Sequence, residues 1–481
     1  MANKTHIHFI GIGGIGMSAL ARYFLSQKSS VSGSDSTESL ITRSLKKDGA
    51  EVKIGHNKAN IPPGTGLVVI TQAVRPDNPE LKDARTRGIR VLTYPEAVGE
   101  LTEQYKTIAI AGAHGKSTTT ALAALALIAG GLDPTVIIGT NLKEFGGKNF
   151  RQGKGKYLVL EADEFGRAFL HYSPCIAIAT NIDREHLDVY KNLAGAKNAF
   201  LTFFENVMPE GLLIVNRDDK NLFSLRTKIA FIAQKKHLKV IWYSLRGWSA
   251  KGAGAATQKT VGEIKNVMQI PGVHNVSNAL AAYALGAYLK ISEKELLSAL
   301  GAYHGSWRRY EYKGTMKMAI AVGEKKRITG IKVFDDYAHH PTELKATLRA
   351  YNEKFSGSKI VCVFQPHQAE RLRLLFEDFI SSFKDADLLV LIPSYRVAGR
   401  DAESKKFTSE KLADAIKKKY PAKEVYFLKS PATLKKFLTT TLGRTAATRR
   451  GTHARTSPQA PPILIMMGAG DIVNYTDSLL H

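Results

Sequence analysis

Two glycine turns, each set between an apolar run and a helix-forming run, constrain this chain more than any other feature. In HIHFIGIGGIGMSALARYFLSQ (6–27) the apolar start enters Gly11, Gly13, Gly14 and Gly16 and leaves as a helical pattern. In TIAIAGAHGKSTTTALAALALIA (107–129) Ile108 to Ala111 meets Gly112 and Gly115, then Lys116 and Ser117, then an Ala/Leu-rich helix. A strand that turns directly into a helix is the repeating unit of a parallel sheet with helical crossovers. Short apolar runs alternate with helical patterns almost throughout, which predicts an α/β fold with mostly parallel sheets. At 481 residues the length predicts about three domains, and the motifs divide them as 1–104, 105–304 and 305–481.

Composition narrows the class. No run of about 18 apolar residues suggests a membrane span, and the N-terminus enters a strand at once without a cleavable signal pattern. Cys175 and Cys362 fall inside apolar stretches and read as small buried core residues, not a disulfide framework or metal cluster. The expectation is a soluble cytoplasmic protein without membrane insertion, monomeric or homodimeric. The net charge of +25, from 68 Lys+Arg against 43 Asp+Glu, favours anionic partners. The excess is spread or lies near the C-terminus, without the aromatic–basic interleaving of a nucleic-acid surface, so no nucleic acid is expected. RGWSAKGAGAATQKT (246–260) reads as a mobile loop between edge strands, and TLGRTAATRRGTHARTSPQAPP (441–462), lacking apolar periodicity, as a disordered insertion.

The first turn is a dinucleotide fingerprint in its proper context. Its glycines, with Met17 following, let the backbone approach a pyrophosphate at a helix N-terminus, and Asp35, ending the next strand, can reach a ribose hydroxyl. The second is a shortened phosphate loop: the common pattern carries a glycine where Ile110 stands. Backbone N–H groups of Gly112, Ala113, His114, Gly115, Lys116 and Ser117, with Thr118 after them, can cradle phosphate oxygens. Lys116 can bridge terminal phosphates and the Ser117 hydroxyl can ligate Mg²⁺. Two phosphate-binding turns on two domains suggest an ATP-driven reaction on a nucleotide-linked substrate.

Further candidates follow the strands. EADE (161–164) ends a strand expected beside the loop, where strand-end acids commonly hold the metal of phosphoryl transfer. NIDREHLD (181–188) ends the next and offers His186 as a ligand or as a residue orienting one. Asn275 and Asn278 share one face of a helix's first turn, where they could hold a nucleotide or cap the helix. WRRYE (307–311) offers an arginine to a transferring phosphoryl group. Asp336, in DDYAHHPT (335–342), could bind ribose or assist metal and base chemistry. FQPHQAER (364–371) offers His367 and Arg371 to a carboxylate-bearing co-substrate.

These motifs together resemble the Mur ligases: the glycine turn, the short GxHGKS loop, a strand-end Glu with a His some 25 residues on, HNxxNA, RRYE, DDYxHHPTE and FQPH, in order across nearly the whole chain. The resemblance accounts for Ile110, because that family uses the shortened loop. It implies a Rossmann-like N-terminal domain binding a UDP-sugar rather than NAD, a central P-loop ATPase-like domain and a Rossmann-like C-terminal domain binding an amino acid. It implies an ATP- and Mg²⁺-dependent ligase of peptidoglycan precursor synthesis, in which the carboxylate of UDP-N-acetylmuramate is phosphorylated and an amino acid, L-alanine in the nearest pattern, displaces the phosphate. By residue matching, Ser117, Glu161 and His186 would handle Mg²⁺; Asn275, Asn278, Arg309 and Asp336 would hold ATP; His339 or His340, His367 and Arg371 would face the amino acid. Closure of the third domain would complete the site and exclude water.

Three features depart from the family's pattern, and one family feature has a candidate position here. Gln368 stands where an arginine follows QPH, and Val74-Arg75 where Ala-Ile follows the fourth strand. The basic stretch 443–460 has no counterpart, and Lys197 is the candidate for the carbamylated lysine of some relatives. Two other functions compete. A murein tripeptide ligase would act on the same sugar acid, and an NAD-binding oxidoreductase would leave Lys116 and Ser117 without a role.

Overall fold

The computed structural model describes residues 5–250, 254–322, 325–395, 406–448 and 460–480. The chain forms two compact units, one running to Gln269 and including Asn275–Tyr303, the other comprising Ile270–His274 and the chain from His304 on.

The first unit begins with a five-stranded parallel sheet, β1 (His6–Ile10), β2 (Ser30–Asp35), β3 (Glu51–Ile54), β4 (Thr65–Ile70) and β5 (Arg90–Thr93), in the order β3-β2-β1-β4-β5. Helices α1 (Ile15–Ser26), α2 (Leu40–Lys47), α3 (Pro79–Thr86) and α4 (Tyr94–Thr102) connect the strands. The order reverses direction between β1 and β4, so a crevice opens beyond their C-terminal ends, where Gly11–Gly16 lies. Glu80 on α3 is fully buried and accepts from Ser34 Oγ (2.6 Å), Asn57 N (3.0 Å) and Asn60 Nδ2 (2.8 Å), fixing the segment after β3 against β2.

The second sheet of this unit has seven strands: β6 (Lys106–Ala111), β7 (Thr135–Leu142), β8 (Lys148–Arg151), β9 (Tyr157–Glu161), β10 (Ile176–Ala179), β11 (Leu212–Asn216) and β12 (Lys239–Tyr243), ordered β12-β11-β10-β6-β9-β7-β8. All pairs are parallel except β7–β8. The inner strands IAIA and LLIV are buried along their length, as expected where helices cover both faces of a parallel sheet. Helix α5 (Lys116–Ala129) leaves β6 through the phosphate loop. Because β6 is flanked by β9 and β10, the carboxylate-bearing ends of both neighbours converge on that loop.

TVIIGTNL forms β7 and KNFR forms β8. Two expectations need correction here. The 246–260 segment is not simply a loop: Trp248–Ala250 (β13) pairs with Gly254–Ala256 (β14), and a helix capped by Thr257 starts at Gln258; residues 251–253 lie outside those described. Cys362 is buried as expected, but Cys175 is only partly so.

The second unit holds a six-stranded sheet, β15 (Glu311–Val322), β16 (Lys325–Asp336), β17 (Ile360–Phe364), β18 (Leu388–Leu391), β19 (Glu424–Phe427) and β20 (Ile463–Met467), ordered β15-β16-β20-β17-β18-β19. Four parallel pairs are joined by one antiparallel β15–β16 pair. The 441–462 stretch is helical at its start, within Leu434–Thr448; residues 449–459 lie outside those described. Among the described residues, no helix is long and apolar enough to cross a membrane.

Candidate active site

The phosphate loop is held in shape from the β10 side. Gly112 and Gly115 have φ of 149° and 80°, a region that disfavours side chains. A Cβ on Gly112 would lie 1.9 Å from Thr180 Oγ1, and one on Gly115 2.5 Å from Asn278 Oδ1. Thr180 Oγ1 and Asn181 Nδ2 both donate to the His114 carbonyl (2.7 and 2.9 Å). The N–H groups of Ala113 and His114 donate to the Asn181 carbonyl and side-chain oxygen (3.1 and 2.8 Å). Two of the six amides expected to face phosphate are therefore committed to Asn181. The first-turn amides of α5, beginning at Lys116, have no intrahelical acceptor and remain available to an anion. Asn278 packs on Gly115, and its Nδ2 lies 3.5 Å from Asn275 Oδ1, so both predicted amides reach the loop's surroundings.

Lys116 Nζ donates to the Gly112 carbonyl (2.8 Å) and to Glu164 Oε2 (2.8 Å), with Asp163 Oδ1 at 3.5 Å. Burial disfavours its charge, but Glu164, Asp163 and Glu161 outweigh that and hold the ammonium above the ordinary lysine range. Ser117 Oγ donates to Glu161 Oε1 (2.9 Å), and Gly139 N to Glu161 Oε2 (2.7 Å). Ser117 and Glu161 thus meet as expected. His186 does not join them: its Nε2 lies 3.8 Å from Glu164 Oε1, and its ring packs on Phe165 at 4.8 Å. His186 also adopts a left-handed backbone (φ 51°), a conformation that costs a non-glycine residue energy.

Glu164, the last acid of EADE, was offered with its neighbours as a metal-holding acid but received no role of its own by residue matching. Glu164 is 2% exposed, and its Oε1 has no hydrogen-bond partner. Ligand atoms of Asp163, Glu164 and His186 lie within 4.8 Å of one another. An oxygen-rich donor set containing a buried, unsatisfied carboxylate oxygen fits a hard divalent cation such as Mg²⁺.

In the first sheet's turn, Asp35 Oδ2 accepts from Gly13 N (2.8 Å). The carboxylate expected to reach a ribose instead closes the glycine turn. The amides of Gly11 and Ile12 are held by the Ser34 carbonyl (2.8 and 2.9 Å). Gly16 lies against Tyr94, whose hydroxyl burial pushes up, with Asp163 and Glu161 adding to the effect. Met17 is buried in the core behind the turn.

In the second unit, Asp336 accepts from Tyr310 N and Ala338 N (both 3.0 Å). It braces the WRRYE turn, so the sugar and base roles expected of it have to compete with two backbone bonds. Arg308 is buried and donates to the carbonyls of Gly468 and Ala469, while Arg309 lies over the Tyr337 ring at 5.3 Å. His340 is 3% exposed and caps the helix Pro341–Lys354, its Nδ1 accepting from Thr342 N (3.3 Å). Of the two histidines offered, His339 is the one that joins the cluster. Its ring meets His367 at 5.8 Å; His367 stacks on Tyr395 at 5.4 Å, and Arg371 Nη1 lies 3.4 Å from His367 Nδ1. Tyr395, which none of the sequence motifs contains, aligns His367 through this stacking. Lys197 donates to Ser224 Oγ (3.0 Å).

Burial pushes the Asp335 carboxyl up to about 7 against the donating Thr476 hydroxyl, and Asp336 up to about 6. The folded chain therefore retains protons that the unfolded chain releases near pH 4. The resulting stability is fully present below that pH and is lost as pH rises through about 6 to 7. D335N is expected to gain on the wild type in melting temperature between pH 5 and pH 8, by roughly 4 °C. A pH-independent difference between the two would contradict this ionisation.

A glycine-lined loop between a central parallel strand and a helix, ending in Lys-Ser and faced by strand-end acids, defines a phosphate-loop α/β enzyme. Three family models cover most of the chain: "Mur ligase family, catalytic domain" over residues 6–106, "Mur ligase middle domain" over 110–286 and "Mur ligase, glutamate ligase domain" over 318–445. The UDP-N-acetylmuramate–L-alanine ligase of Desulfatibacillum aliphaticivorans is 38% identical over 490 residues, covering 99% of this chain and 98% of that one. The enzyme of the same name from Clostridium acetobutylicum is 39% identical, covering 86% and 87%. The solved UDP-N-acetylmuramate-alanine ligase of Thermotoga maritima superimposes with a TM-score of 0.72 at 27% identity, covering 98% of each chain. A murein peptide ligase from Psychrobacter arcticus shares the fold, with a TM-score of 0.65 at 21% identity and coverage of 99% and 98%. The chain belongs to the Mur ligase family.

Proposed function

We propose that this protein joins L-alanine to UDP-N-acetylmuramate in peptidoglycan precursor synthesis, driven by ATP and requiring Mg²⁺. The observation carrying the reading is the buried Lys116–Glu164 pair beneath the shortened loop, in a chain whose near-full-length relatives carry that ligase name. In this reading 1–104 holds the sugar nucleotide, 105–304 ATP, and 305–481 the amino acid.

A carboxylate is a poor acylating agent, so the reaction begins by giving it a leaving group. The sugar's carboxylate oxygen attacks the γ-phosphorus, the bond to the β,γ-bridging oxygen breaks, and ADP departs. Lys116 lies where it can move from Glu164 onto the γ-phosphate, offsetting repulsion between two anions. Gly115, Lys116, Ser117 and Thr118 present the first-turn amides of α5 to the phosphates. Glu164, Asp163 and His186 on one side, and Ser117 with Glu161 on the other, would hold Mg²⁺, which supplies charge neutralisation on the phosphates. The amine of the amino acid then attacks the acyl carbon, and phosphate leaves with the former carboxylate oxygen. Arg371, aligned on His367, is the cation for the amino acid's own carboxylate. Gln368, where the family pattern carries a second cation, leaves that task to Arg371.

The test is mass spectrometry of product formed from UDP-N-acetylmuramate, ATP and a mixture of amino acids and the murein tripeptide. The expected product carries one alanine residue. A product carrying the tripeptide, or none that depends on ATP, overturns the reading.

A further inference from the structure

The seam between the glycine-turn sheet and the central sheet contains a polar lock that neither nucleotide site requires for its own contacts. Asn149, on the edge strand β8, is fully buried. Its Nδ2 donates to the Ile15 carbonyl (2.5 Å) and to Ser18 Oγ (3.0 Å), and its Oδ1 accepts from Arg22 Nη1. Ile15 and Ser18 form the first turn of α1, directly behind the glycine turn. Arg22, 6% exposed, also donates to Asp48 Oδ2 (2.8 Å) and Ser44 Oγ (2.9 Å). Lys148, the residue before Asn149, pairs with Asp48 Oδ1 (2.6 Å).

Adhesion alone would be served by apolar packing, because a buried amide must have its donors and acceptor satisfied to avoid a penalty. Asn149 directs both halves of its amide at one helix, Nδ2 at the first turn of α1 and Oδ1 at Arg22 further along it, which fixes that helix in angle and depth. The strand paired with β8 is β7, whose Gly139 N–H holds Glu161 beside Ser117. One short hairpin therefore touches the helix that begins at the sugar-nucleotide turn and the carboxylate that faces the phosphate loop.

We infer that Asn149 is a positioning residue for the sugar nucleotide: it sets the seat of α1, and so the distance the sugar's carboxylate must span to the phosphate loop. This rests on the reading that Gly11–Gly16 holds the UDP-sugar. The side-chain chemistry makes a specific demand. Leucine can neither donate nor accept. Aspartate keeps the acceptor for Arg22 but has no donor for the Ile15 carbonyl.

The test compares wild type, N149L, N149D and the seam control K148M. Binding of UDP-N-acetylmuramate and of ATP is measured by calorimetry, hydrogen exchange is followed at the amides of 15–22, and melting temperature is recorded. Both Asn149 variants are expected to weaken sugar-nucleotide binding by about tenfold or more and to speed exchange in the first turn of α1, with ATP binding within about twofold of wild type. N149L and N149D are both expected to lose more sugar-nucleotide affinity than K148M does for a comparable fall in melting temperature, an outcome that mere destabilisation would not give. K148M is expected to lower the melting temperature without changing sugar-nucleotide affinity. Unchanged binding in both Asn149 variants, or unchanged exchange over 15–22, overturns the inference alone. A wild type that binds no UDP-N-acetylmuramate instead removes the reading of the turn on which it rests.

Discussion

Lys116→Ala is expected to reduce ligation by about 10³-fold or more, measured as phosphate released in the presence of both co-substrates. The ammonium lies beneath the loop, and its bonds to the Gly112 carbonyl and Glu164 keep it where, in the proposed reading, it reaches the terminal phosphates. An amide dipole cannot replace it, because the transition state gathers negative charge on the transferring phosphoryl group. The loss should fall on kcat more than on ATP binding, since in the proposed reading the α5 amides would still hold the nucleotide. A variant retaining a tenth of wild-type turnover would show that the loop does not act as proposed.

Glu164→Gln is expected to lower kcat by about 10²-fold and to raise the Mg²⁺ concentration needed for half-maximal activity by about tenfold or more. Burial raises this carboxyl, while Lys116, and to a lesser extent His186, pulls it back toward ionisation. Glutamine keeps the shape but loses the charge that both the ammonium and a cation need. Titration of activity against Mg²⁺ separates the two effects: a fall in kcat with an unaltered Mg²⁺ requirement would assign Glu164 to Lys116 alone. The comparison variant is Glu161→Gln, which tests the acid favoured by motif matching.

The phosphate loop and the glycine turn were legible in sequence because each ties chemistry to a local shape. Only a strand-turn-helix places backbone amides at an anion, and glycines at 112 and 115 mark where no Cβ fits. Parallel packing was legible from short runs such as IAIA and LLIV. Two strands carry a weaker signal. TVIIGTNL, between β9 and β8, is interrupted by the exposed Gly139, and KNFR is four residues long, so neither holds a pattern long enough to distinguish it from a loop. The 246–260 misreading came from weighting Gly and Ala content over Thr257, a helix cap visible in the sequence.

Within the site, residue types were legible and their pairings were not. EADE offers three acids, and alternation along a strand does not say which one turns back under Lys116. That choice is made by the chain after β9, where Glu164 is buried and the Tyr190 hydroxyl holds its carbonyl. Asp35 was expected to face a ribose and instead closes its own turn on Gly13 N, a competition between local and ligand hydrogen bonds that spacing cannot settle. His340 was likewise diverted to a helix cap, leaving His339 to meet His367.

In the proposed reaction the sugar acid passes through an acyl phosphate formed over this loop. The direct measurement uses UDP-N-acetylmuramate labelled with ¹⁸O in both carboxylate oxygens, with ATP and L-alanine, followed by mass spectrometry of the released phosphate. Because the attacking carboxylate oxygen becomes the bridge to phosphorus and leaves with it, one ¹⁸O is expected in each phosphate and one in the new amide. Unlabelled phosphate released in step with amide formation would contradict the account.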